Sequence, residues 1–181
     1  HSIMELLEQA TISKNLANTF SMNVQNVLRP NHDFRGFSGI VSSGKLNIGD
    51  TVFVGKTTQK AKVASIVSGF DSEKVCHVGE SVTLCLDKEI DISRGDLLTT
   101  DPSYLNNGNI FDANIIWFND AKCYKNRSFL LKIGTKVVNA KIEKFKHKID
   151  INSYKEVVCP SLSMNEIARC EIRLDQDVSF K

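Results

Sequence analysis

The sequence predicts a mainly β protein made of two small domains, and three observations carry that prediction. β-Branched residues dominate, with 15 Val, 16 Ile and 9 Thr against only 8 Ala in 181 residues. Such side chains fit a pleated surface and lose χ1 freedom in helices. The ten glycines and three prolines fall mostly between apolar runs, where turns belong. Short strand candidates then recur at roughly ten-residue spacing, which points to sandwich or barrel folds rather than βαβ units.

Taken in order, residues 3–12 are expected to form a short amphipathic helix through Ile3, Leu6, Leu7 and Ala10. A strand is expected at 20–28, stopped by Arg29-Pro30-Asn31, and a second at 34–41. Residues 43–50 read as a connection into a strand at 51–54, and a further strand at 60–67 breaks at Gly69. Val82, Leu84 and Leu86 alternate with Ser81, Thr83 and Cys85, so one face of that strand points inward. Arg94-Gly95-Asp96 turns the chain into Leu97-Leu98. A polar stretch follows, Asp101-Pro102-Ser103 and then Asn106-Asn107-Gly108-Asn109, of the kind that joins domains. Strands resume at 110–118, 129–133, 137–149 and 167–174, with the domain boundary near residue 105.

Composition excludes several classes. Apolar residues make up 41% and charged residues 24%, which is ordinary for a globular protein and unlike a disordered tail, a collagen repeat or a coiled coil. No apolar run approaches the ~20 residues of a membrane helix. Met4-Glu5-Leu6-Leu7-Glu8 lacks the basic start of a signal peptide. His1-Ser2 is not a natural beginning, so the chain is expected to be a fragment. Cys76, Cys85, Cys123, Cys159 and Cys170 form no CxxC pair and no zinc-spaced cluster with histidine. They read as reduced thiols of a cytoplasmic protein, and the four scattered histidines as surface or packing residues. No metal site is expected.

The formal charge of +2 implies no partner by itself, but it is unevenly spread. Residues 104–181 hold 13 Lys+Arg and 9 Asp+Glu, net +4, against net −2 before them. Much of the excess lies in Lys141-Ile142-Glu143-Lys144-Phe145-Lys146-His147-Lys148. A basic strand with interleaved Phe can hold a phosphate backbone. The reading adopted is a solvated strand face whose lysines guard against edge pairing.

Gly55-Lys56-Thr57 imitates the tail of a phosphate-binding P-loop, but position 50, where the first glycine belongs, is Asp. Residues 51–54 and 57–67 read as strands, so no helix N-terminus would face a phosphate, and the segment is expected to be a hairpin turn. There is no G-x-S-x-G elbow and no H-E-x-x-H. Asp71, Glu73 and Glu80 lie in loop-like sequence. No catalytic or cofactor-binding residue is assigned.

The segment Phe34-Arg35-Gly36-Phe37-Ser38-Gly39-Ile40-Val41-Ser42-Ser43-Gly44-Lys45-Leu46-Asn47-Ile48-Gly49-Asp50 sets glycines inside strands and a turn before Gly-Asp. Glycine there marks a bulge or a close backbone approach. It resembles the second domain of translational GTPases such as elongation factor Tu, and Ile92-Ser93-Arg94-Gly95-Asp96-Leu97-Leu98 resembles the end of the same barrel. Val27-Leu28-Arg29-Pro30-Asn31-His32-Asp33-Phe34-Arg35-Gly36, Glu89-Ile90-Asp91-Ile92 and Phe111-Asp112-Ala113-Asn114-Ile115-Ile116-Trp117 are similar to the GTPase subunit of bacterial sulfate adenylyltransferase. Residues 140–152 are similar to that family's third domain.

The resemblance implies an all-β fold of two small barrels in tandem. The first is translation-factor domain II-like at 16–103, and the second elongation-factor C-terminal-domain-like at 104–181. Residues 1–15 would be the exit from a preceding GTPase domain that the sequence does not contain. It further implies a non-catalytic pair of barrels that couples GTP hydrolysis to the making of adenosine 5′-phosphosulfate from ATP and sulfate. GTP and Mg²⁺ would belong to the GTPase domain, and the partners would be that domain and the catalytic small subunit. Neither membrane nor nucleic acid is expected. The fragment alone is expected to be inactive. The family's third domain closes with a further strand and a glycine-rich tail, whereas this sequence stops at Asp175-Gln176-Asp177-Val178-Ser179-Phe180-Lys181; without that strand the second barrel would be open.

Asn31, His32, Asp33 and Arg35 are the candidate partner-facing residues, because polar and charged groups cluster there between Pro30 and Gly36. The alternative is a barrel pair of a translation-type factor that contacts RNA or the ribosome, supported by the basic bias of the second half.

Overall fold

The computed structural model describes residues 2–9, 18–31, 34–55, 57, 59–69 and 71–180. The chain separates into two compact units, residues 1–93 with 97–102, and residues 94–96 with 103–181. Apart from the helix α1 (Ile3–Gln9) and a 3-10 turn at Pro102–Tyr104, regular structure is β throughout, as composition predicts.

The first unit contains β1 (Ser21–Leu28), β2 (Gly36–Ser43), β3 (Lys45–Asn47), β4 (Thr51–Val54), β5 (Lys60–Ser68), β6 (Asp71–Glu73), β7 (Val75–His77), β8 (Ser81–Leu86) and β9 (Leu97–Thr99). The hydrogen-bonded order β4-β9-β1-β2-β8-β5 returns to its start because β4 also pairs with β5. The result is a closed six-strand antiparallel barrel. Its interior follows from alternation at Val52 and Val54, Val82 and Leu84, and Phe37 and Val41, and a bulge in β5 turns both Val63 and Ile66 inward; all bury against Phe20, Met22 and Leu98.

Two stretches differ from the sequence expectation. The 43–50 connection contains β3, which pairs with β7 as a separate ribbon and buries Leu46 beneath it. Asp71 and Glu73 lie on β6, paired to Ser68 and Ile66, rather than in a loop. Three-residue strands have too few positions to show a period, so only the pairing reveals them.

The glycines of β2 are there because the backbone runs close. A Cβ on Gly39 would sit 2.4 Å from the Asn23 carbonyl oxygen of β1, and one on Gly36 would sit 2.5 Å from Thr83 Cγ2 of β8. The β1–β2 register slips between Val24 and Asn26, a bulge at this crossing. The start of β1 is stitched by buried hydroxyls. Ser43 Oγ donates to the Thr19 carbonyl at 2.8 Å and lies 2.9 Å from Ser21 Oγ, while Thr99 Oγ1 donates to the Phe20 carbonyl at 2.9 Å. These pairs satisfy polar groups that the core would otherwise leave unpaired.

The second unit contains β10 (Asn106–Ile116), β11 (Cys123–Tyr124), β12 (Ser128–Ile133), β13 (Lys136–Ile149), β14 (Glu156–Val157), β15 (Ser161–Leu162) and β16 (Ile167–Phe180). The order is β10-β16-β13-β12, with β14 on β13 and a β11–β15 ribbon apart. Val138, Ala140 and Ile142 alternate inward, then register slips between Ile142 and Lys144 and between Phe145 and His147 bring Phe145 to the same side. They meet Cys123, Leu162, Cys170, Ile172 and Leu174 in one core. Asn106–Asn109, read as part of a linker, is strand: Asn106, Asn107 and Gly108 pair with Phe180, Ser179 and Val178. β16 accordingly runs on through residues 175–180.

All five cysteines are free thiols. Burial pushes the Cys170 thiol up to about 12 and the Cys76 thiol up to about 11.

The Gly39 contact is backbone, which cannot swing aside. Gly39→Ala is expected to lower the unfolding free energy by about 1–3 kcal/mol through overpacking. Ser42→Ala, at an exposed position of the same strand, is expected to stay within about 0.5 kcal/mol. Denaturant unfolding of the two variants side by side checks this, and equal stabilities would contradict it.

Candidate functional site

Asn31 and Arg35 leave and re-enter the barrel on either side of the β1–β2 connection; His32 and Asp33 lie outside the described residues. The connection is held locally, with Asn31 Oδ1 accepting the Phe34 N–H at 2.9 Å. This side-chain mimic of a turn is what Asn does best. Phe34 then leans over Gly36, so that a Cβ on Gly36 would meet the Phe34 ring at 2.9 Å.

The β2–β8 register sets Gly36 opposite Cys85 and Phe37 opposite Leu84. Arg35, one residue earlier, therefore faces the chain leaving β8. Between them lies a groove of about 280 Å³ lined by Phe34, Arg35, Phe37 and residues 85–89. The Arg35 guanidinium carbon is 5.3 Å from the Phe37 ring centroid, a cation–π distance. Its Nε is buried and has no hydrogen-bond partner among the described residues.

The groove's two carboxylates are engaged elsewhere. Asp87 Oδ1 accepts the Lys62 N–H at 2.9 Å, and Asp87 N–H returns to the Lys62 carbonyl at 2.9 Å. Glu89 pairs with Arg29 across the groove's end. Sequence reasoning singled out Arg35 but missed Phe37 and the 85–89 wall. Their only sequence signal was the charged run Asp87-Lys88-Glu89 immediately after an alternating strand.

The P-loop imitation is a hairpin turn. Gly55 N–H donates to the Leu97 carbonyl at 2.6 Å and Thr57 Oγ1 donates to the Val54 carbonyl at 2.7 Å; Lys56 lies outside the described residues. The amide and hydroxyl a phosphate would need are spent within the barrel. Among the described residues no group of three or more His, Cys, Asp or Glu side chains could hold a metal ion. No helix there is long and apolar enough to cross a membrane.

In the second unit the basic stretch lies on β13, which pairs along this stretch with β16, while β12 reaches only Lys141 and β14 meets only Lys148 and Ile149. Residues 142–147 thus have a strand partner on one side only, and Lys144 and Lys146 lie on that open edge. Two of the four lysines are ion-paired: Lys146 Nζ lies 2.5 Å from Asp112 of β10 and Lys148 Nζ 2.6 Å from Glu166, while Glu143 binds Arg173 of β16. Arg169 adds a second cation to Asp112 at 3.7 Å. The hydrogen bond from Lys146 holds the Asp112 carboxyl below its ordinary value, and those from Arg173 and Lys148 do the same for Glu143 and Glu166. These pairs engage Lys146 and Lys148 but leave the net +4 of residues 104–181 unchanged.

Comparison with known proteins fits this architecture. The profile of the family described as GTP-eEF1A C-terminal domain-like matches residues 110–181. The solved structure of Sup35 complexed with GMPPNP superposes with a TM-score of 0.79 over 99% of this chain and 45% of that one, at 19% identity. The fold is that of the β units of translation GTPases. Curated relatives are more specific. Sulfate adenylyltransferase subunit 1 of Shewanella woodyi is 34% identical over 180 residues, 99% of this chain, and that of Aliivibrio salmonicida is 40% identical over 98% of it. The bifunctional enzyme NodQ of Rhizobium meliloti is 36% identical over 99% of the chain. The chain is thus a homologue of sulfate adenylyltransferase subunit 1. It spans 28–38% of the length of these three relatives.

A depressed folded-state pKa stabilises the fold above the ordinary carboxylate value and is lost as pH falls through the folded value. The Asp112–Lys146 contribution should therefore fade only in acid, below the usual carboxylate range. Carboxyl NMR titration is expected to place Asp112 below an ordinary Asp and Lys146→Met to raise it. An unmoved Asp112 midpoint in that variant would contradict the pairing.

Proposed function

We propose that this chain is the β-barrel part of a sulfate adenylyltransferase GTPase subunit, and that it couples GTP hydrolysis to the transfer of an adenylyl group from ATP to sulfate. The observation that carries this is alignment over 98–99% of the chain with relatives named sulfate adenylyltransferase subunit 1, at 34–40% identity. In this reading the barrels transmit and do not catalyse. GTP and Mg²⁺ would sit in a preceding GTPase domain, in keeping with the hydrogen bonds that occupy Gly55 and Thr57 here. A coupling element needs a surface whose contacts differ between two states of the assembly. The 31–35 connection is assigned to the surface that meets the catalytic subunit, because it carries Arg35, whose Nε has no acceptor among the described residues.

The RNA-binding alternative rests on the net +4 of residues 104–181, and the ion pairs of β13 take Lys146 and Lys148 out of the basic stretch it would use. Loss of coupling is the decisive readout. In the full-length subunit assembled with its catalytic partner, Asp33→Ala with Arg35→Ala is expected to lower GTP-stimulated adenosine 5′-phosphosulfate formation by about tenfold or more, the scale of a lost charged contact. GTP hydrolysis without the partner should stay unchanged. Full stimulation in the double variant would overturn the assignment of this loop.

A further inference from the structure

We propose that the groove beside Arg35 is a carboxylate-binding site that takes an acidic side chain, flanked by apolar residues, from a partner polypeptide. The charge pattern of the groove carries the argument. Among the described residues two cations and two carboxylates line it: Arg35, Lys88, Asp87 and Glu89. Both carboxylates are engaged, Asp87 by the Lys62 backbone and Glu89 by Arg29. Neither cation has an ion-pair partner among the described residues. The unspent charge facing the groove is therefore positive, although the local sequence looks balanced.

Shape narrows the ligand. The Arg35 guanidinium carbon lies 5.3 Å from the Phe37 ring centroid, so one side of the group faces the ring and its N–H edges are left to meet a ligand. A planar carboxylate answers that edge with two parallel N–H···O bonds, and a small rotation of the guanidinium would bring the buried, unpartnered Nε into the pair. Phe34, Phe37 and Leu86 supply apolar walls that water leaves readily, which suits residues flanking the acid rather than a free ion. This deepens the partner-facing reading of the 31–35 connection and rests on it only for the notion that the ligand belongs to a protein.

The test is an amide NMR titration of the ¹⁵N-labelled chain with the peptide acetyl-Leu-Asp-Leu-amide, its Asn counterpart and inorganic phosphate. The Asp peptide is expected to shift Gly36, Phe37 and the 85–89 amides saturably, and the Asn peptide to bind at least about tenfold more weakly. Arg35→Gln should lose the response while the Ala168 and Ile172 amides stay in place, and Arg35→Lys should restore part of it. The comparison of Asp and Asn peptides on the unaltered chain stands even if a variant folds poorly. No response, equal binding of the two peptides, an unchanged response in Arg35→Gln, or phosphate binding as tightly as the Asp peptide would each overturn the proposal. Because the titration needs no catalytic subunit, its failure leaves the coupling measurement on the full-length enzyme independent, and the reverse holds too.

Discussion

The first unit depends on one close approach. Where β1 and β2 cross at Gly39, the Asn23 carbonyl occupies the space a Cβ would need. The bulge beside it turns β1, and that turn lets six short strands close into a ring rather than fan into a sheet. Closure removes the free edges of the ring itself, so strands as short as β4 and β9 can survive, each held on both sides. The groove is a by-product of the same register. Once β2 is pinned to β8, Arg35 has no choice but to face Leu86 and the charged run after it.

The second unit reaches stability differently. β13 and β16 are each 14 residues long, and their length lets them pass through register slips without losing the pairing. The slips keep Ile142 and Phe145 on one face and leave Lys146 and Lys148 to find acids on other segments. Lys146 and Lys148, which look available in one dimension, are thus committed in three. Surface pairs of this kind add little stability singly, but they decide how much charge remains for a partner.

Periodic strands were legible in the sequence. Val82-Thr83-Leu84 announces β8, and the glycines of Phe34-Arg35-Gly36-Phe37-Ser38-Gly39 announce the tight crossing. Elements held only by backbone pairing were not. Asn106-Asn107-Gly108 has the composition of a loop, yet it is strand because Val178, Ser179 and Phe180 lie alongside. Asp71 and Glu73 are exposed on a three-residue strand that no apolar pattern marks. The site divides in the same way. Arg35 stood out by its neighbours, but which residues it faces depends on a register with β8 that no local signal encodes, and two lysines of the basic stretch looked freer than they are because their acids, Asp112 for Lys146 and Glu166 for Lys148, lie 34 and 18 positions away.

Ring closure through β4 is the claim on which the groove and the coupling surface both stand. Native-state hydrogen exchange at the two seam amides tests it most directly: Val54 N–H, bonded to the Gln59 carbonyl, and Gly55 N–H, bonded to the Leu97 carbonyl. A closed barrel predicts that both exchange only with cooperative unfolding of the whole unit, at the same free energy as the Val24 and Leu84 amides of the barrel interior. Exchange at the seam with a free energy near that of a fraying end, while Val24 and Leu84 stay protected, would show an open sheet and contradict the account.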